Sequence, residues 1–95
     1  MNLTDYIIMR EDIGRRLGRE RAAHGFETNH ALAEHVEATF DATIDPDVLD
    51  AVERGLVDCP PQILYMLAAV YKIGVDILAF PSPRRVNVEA AQHAG

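Results

Sequence analysis

Apolar residues in the body of this chain recur at helical spacing, never in sustained alternation, and each stripe is cut by a glycine or a proline within a few turns. A chain punctuated in this way builds short helices that bury one stripe each against their neighbours. Ile13 and Leu17 lie one turn apart in a first helix predicted from about Glu11 to His24, with Gly25 as its stop. Upstream, Thr4 is placed to cap a further helical turn, while YIIM reads equally as an extended arm. Met9 offers a second start, which makes the first eight residues incidental.

A second helix opens near Thr28 or Asn29, reaches Ala38 or beyond, and buries Leu32, Val36 and Phe40. After the glycine-free link DATI, Asp45-Pro46 opens a third helix. Its N-cap is acidic, and the proline stands at the first helical position, where a missing N–H costs nothing. Val48, Leu49 and Val52 share one side of it, Asp47, Asp50 and Arg54 the other, and Gly55 ends it. Pro60-Pro61 introduces the most apolar helix, with Ile63, Met66, Leu67 and Val70 on one stripe. Tyr65 and Ala69 fall on its other side, so this helix is either central or covered by a partner. A turn at Ile73-Gly74 leads to VDILAF, a short fifth helix stopped by Pro81 and Pro83.

The expected fold is therefore an all-α, compact five-helix bundle. It divides into an N-terminal arm or helix extension (1–10), the bundle itself (11–80) and a flexible C-terminal tail (81–95). The tail PSPRRVNVEAAQHAG has too little apolar content to pack alone, although RRVNV is able to add a strand to a partner. Ninety-five residues suit one domain with a modest core, and the 48% apolar share fits a globular protein. The run ILYMLAAVY (63–71) is far short of the roughly 20 residues a bilayer needs, so no membrane segment is expected. MNLTDYIIMRED lacks the basic start and apolar stretch of a secretion signal. The lone Cys59 excludes an intramolecular disulfide and a four-cysteine zinc site. A cytoplasmic location is expected.

Three segments resemble the Cro/C1-type (XRE) helix-turn-helix regulators. IGRRLGRERAAHGF (13–26) looks like that family's first helix and its exit, and ALAEHV (31–36) like its second-helix core. AVERG, a following proline and LYMLAAVYKIGVDIL resemble its fourth and fifth helices. The likeness covers about residues 11–80 and implies a lambda-repressor-like helix-turn-helix bundle. Between Val36 and Gly55 the chain is about six residues longer than the usual passage, a long hairpin resembling a subgroup of actinobacterial regulators.

The resemblance implies binding to double-stranded DNA, as a homodimer reading half-sites about 34 Å apart. The third helix would read bases through Pro46, Asp47, Val48, Asp50 and Ala51, with Thr43 just ahead of it and Thr28 and Asn29 opening the second helix. Thr28 or Asn29 stands where the family places a glutamine. Arg15, Arg16 and Arg19 of the first helix would add phosphate contacts.

The surface chemistry pulls the other way. Net charge is −6, which weighs against non-specific binding to a polyanion. Charge is also unevenly placed. Residues 10–25 hold Arg10, Arg15, Arg16, Arg19 and Arg21 against three acids, while residues 41–58 hold Asp41, Asp45, Asp47, Asp50, Glu53 and Asp58 against Arg54 alone. The plainest account of the acidic helix makes Asp45 a cap, sets Asp47 against the helix dipole and pairs Asp50 with Arg54 one turn on. The arginines of the first helix then form an ordinary solvated face. On that account the same scaffold serves as a protein-interaction module whose acidic third helix meets a basic partner, since fold does not fix function.

No catalytic, cofactor or metal site is expected. HALAEH puts His30 and Glu34 on one face, but the spacing misses the zinc-protease pattern. The aspartates of 41–50 lack the glycine and terminal glutamate of a calcium loop.

Overall fold

The computed structural model describes residues 2–79, and among them the chain forms five helices and no strand. They are α1 (Leu3–Ala23), α2 (Asn29–Phe40), α3 (Pro46–Glu53), α4 (Pro61–Tyr71) and α5 (Val75–Ala79). The all-α, five-helix expectation is met. Phe80 and the tail 81–95, including the RRVNV segment, lie outside the described residues.

The first helix starts about two turns earlier than the Glu11 boundary expected from its apolar spacing. Asn2 caps it, its Oδ1 accepting from the Asp5 N–H at 2.8 Å, so YIIM is helix and not an arm. Tertiary contacts hold this extension. Tyr6 donates its hydroxyl to the Asp58 carboxylate, and Arg10 Nε donates to the Gly55 carbonyl at 2.8 Å.

The core gathers Leu17, Leu32, Val36, Ile44, Leu49, Val52, Leu67, Tyr71 and Leu78 around α3. Helix α3 packs between α1 and α2, while α5 packs on α4 and α1. One expectation about burial fails. Phe40, the last residue of α2, is 39% exposed, so the buried stripe ends at Val36, and the helix closes on Asp41 in the left-handed region at φ 55°. Helix α4 turns Leu67 and Tyr71 inward and leaves Tyr65 exposed, so of its two expected settings the central one does not hold. Its exit bend also falls on Lys72 (φ 56°), one residue before the Ile73-Gly74 pair.

How closely α1 meets α3 is decided at Gly14. A Cβ at this buried position would press on the Val52 carbonyl oxygen and lie 2.7 Å from the Glu53 carbonyl oxygen, both rigid backbone. Gly18, one turn on, faces only the flexible Glu53 carboxylate at 3.4 Å. Gly14→Ala is therefore expected to destabilise the fold by about 2–3 kcal/mol through overpacking, despite alanine's better helix propensity. Gly18→Ala should cost less than about 1 kcal/mol. Urea midpoints of the two variants check this ordering, and equal midpoints would exclude the close approach.

Candidate nucleic-acid interface

The N-termini of α2 and α3 open onto one polar cleft of about 640 Å³. Each terminus is built from its own cap. Thr28 Oγ1 accepts from the Ala31 N–H at 3.1 Å, and Asp45 Oδ1 accepts from the Asp47 N–H at 2.9 Å. Both caps and the proline at the first position of α3 are as expected.

The cleft brings together Thr28, Asn29, Pro46, Asp47 and Asp50 from the expected set. Val48 is half-buried against the core, Ala51 is half-buried, and exposed Thr43 lines a neighbouring hollow with His30 and Pro46. Arg15, Arg16 and Arg19 are not brought there. Arg15 pairs with Asp12 and Arg16 with Glu20 at 3.1 Å on α1 itself, and Arg19 is exposed with no ion pair among the described residues. The spacing of these arginines puts them on the side of α1 away from Leu17, which faces α3.

Four residues reach the cleft that the expected contact set did not include, Arg21, Glu27, His30 and the cap Asp45. Arg21 lies one turn beyond Leu17 on the buried face, a spacing that signals its inward direction. Its guanidinium clasps Glu53 through Nε at 2.8 Å and Nη2 at 3.0 Å, and donates from Nη1 to the Phe26 carbonyl at 2.9 Å. The bond to Glu53 holds its pKa above the ordinary arginine value. This two-pronged pair ties α1 to the end of α3.

The pairing expected between Asp50 and Arg54 is not made. Asp50 Oδ1 instead accepts from Asn29 Nδ2 at 2.6 Å. The first residue of α2 stands closer to this carboxylate than a side chain one turn along α3, because α2 packs directly on α3. Asn29, expected at the surface, is 4% exposed, and its Oδ1 has no hydrogen-bond partner. Around this floor the cleft carries Glu27, Asp45, Asp47 and Asp50 against Arg21.

A second hollow, about 230 Å³ and largely apolar, lies between α1 and the segment leading to α4. Met9, Ile13, Val57, Cys59 and Leu64 line it, under a rim formed by Tyr6, Arg10 and Asp58. Burial pushes the Cys59 thiol up to about 11. Among the described residues no His, Cys, Asp or Glu side chains are grouped to hold a metal ion, and no helix is long and apolar enough to cross a membrane. No protein-family model, curated protein or solved structure matches the chain.

Two outcomes are expected. Glu53→Ala should cost about 1–3 kcal/mol by leaving Arg21 half-buried without its carboxylate, seen as a lower urea midpoint. Cys59 should react with a thiol reagent at pH 8.5 about 100-fold more slowly in the folded protein than in urea. The sign of the linkage follows. The folded thiol keeps its proton where the unfolded one has lost it, so stability is unaffected below about pH 9 and falls as pH rises toward 11. Equal labelling rates in the two states would contradict the burial of Cys59.

Proposed function

We propose that the protein is a DNA-binding transcriptional regulator of the Cro/C1-type helix-turn-helix kind. In this reading α3 enters the major groove and the start of α2 grips the backbone beside it. The observation that carries the reading is the convergence of the α2 and α3 N-termini on one open cleft, with Asp47 and Asp50 exposed on the outer face of α3. An eight-residue helix is about 12 Å long, and the major groove is about 12 Å wide. Leading N–H groups of a helix have no intrahelical acceptor, so the Thr28-capped start of α2 offers donors and a positive dipole end to a phosphate. One such module buries too little surface for tight specific binding, so it acts as a homodimer. Tyr65 and Ile77, both exposed, are the dimer contacts this reading assigns.

A second reading rests on its own observation. Carboxylates outnumber arginines in the cleft four to one, and the one arginine is already spent on Glu53. That chemistry suits a basic protein surface. Fluorescence anisotropy on a plain duplex, taken from 20 to 200 mM salt, separates the two. The DNA reading expects measurable binding at low salt and a log–log slope of about −0.9 for each phosphate contact. Retention of an arginine-rich peptide by a protein that ignores duplex DNA at every salt concentration would select the basic partner.

A further inference from the structure

The α3 side of the cleft presents hydrogen-bond acceptors, the Asp47 and Asp50 carboxylates. Asp50, exposed on α3, uses Oδ1 to accept from Asn29, which ties its carboxylate to the start of α2. Beside it the buried Asn29 keeps an Oδ1 with no donor. Arg21 turns Nε, Nη1 and Nη2 toward Glu53 and the Phe26 carbonyl. Asp47 adds another exposed carboxylate one turn back on the same face of α3.

A face made of acceptors can bond only to donors. In the major groove those are the amino groups of cytosine N4 and adenine N6. Adenine sets its amino group beside the N7 acceptor, which repels a carboxylate, whereas the cytosine edge offers the amino group alone. We infer that Asp50, held in place by Asn29, is a specificity-determining residue that selects a cytosine by accepting from its N4 amino group. The inference rests on the DNA-binding reading above and names what that site reads. Asn29 is a positioning residue, acting through the orientation of Asp50.

The test begins with wild-type protein and a randomised duplex pool at low salt, followed by sequencing of what is retained. One half-site position should be enriched in cytosine. Replacing that base with N4-methylcytosine removes the free amino hydrogen and should weaken binding about tenfold, while 5-methylcytosine at the same place should not. Asp50→Asn keeps the shape and the acceptor for Asn29 but turns a donor outward. Its enriched base should change from cytosine to adenine, whose N6/N7 edge matches an amide. A merely structural Asp50 would lower affinity and leave the preferred base unchanged.

Outcomes separate cleanly. Salt-dependent duplex binding without cytosine enrichment, or with no loss on N4-methylation, overturns the inference and leaves the DNA reading standing. An absence of duplex binding by folded protein overturns both. The methylated duplex needs no variant, so a poorly folding Asp50→Asn protein does not spoil the test.

Discussion

The position of α3 depends on the closeness of α1, and that closeness rests on a missing methyl group at Gly14. With the two backbones in contact there, Leu17 reaches the core, and Arg21 one turn later falls within reach of Glu53 at the far end of α3. On its other side α3 is tied to α2 by the Asn29–Asp50 bond at its middle. An eight-residue helix is too short to be stable on its own, so its geometry is imposed by these neighbours. The polar face of the cleft is thus positioned by the same packing that forms the core.

The same packing sorts the charges. Basic residues of α1 that look alike in sequence have separate fates. Arg10 serves the Gly55 carbonyl, Arg15 and Arg16 answer acids of their own helix, and Arg21 crosses to α3. What is left at the junction of α2 and α3 is acidic and rich in acceptors. A surface of this kind gains little from indiscriminate attraction to phosphate and depends on matching the donors of its target.

Much of this arrangement was legible in the residues. Asp45-Pro46 and Gly55 bracket α3 because capping and φ preferences act locally, and the Leu49–Val52 stripe gave its buried side. The places where the reading stopped share a cause. Asp50 has a plausible partner four residues on, in Arg54, yet its actual partner is 21 residues away on α2, and nothing in a linear pattern ranks the second above the first. The early start of α1 depends on Asp58 and Gly55 receiving Tyr6 and Arg10, contacts that exist only once the loop after α3 has folded. Phe40 fits the four-residue repeat of α2 yet stands exposed at the helix's last position, and Asp41 closes that helix in the left-handed conformation without a glycine to announce it. Five of the nine residues that line the cleft were therefore readable, while the other four, its partners and its donor–acceptor balance were not.

The extension of α1 has a consequence for how the molecule opens. Its first two turns pack only over the apolar hollow beside Cys59, and their polar ties to the rest are made at the rim by Tyr6 and Arg10. Leu3 and Ile8 remain in solvent. Such a segment is expected to open at a lower free energy than the Leu17–Val52 region, with its amide hydrogens exchanging ahead of those in the core. When it lifts, Cys59 is uncovered while α2 and α3 keep their relative pose. The molecule is thus expected to show two levels of protection, a firmer body built on α2 and α3 and a leading helix end that loosens independently of it.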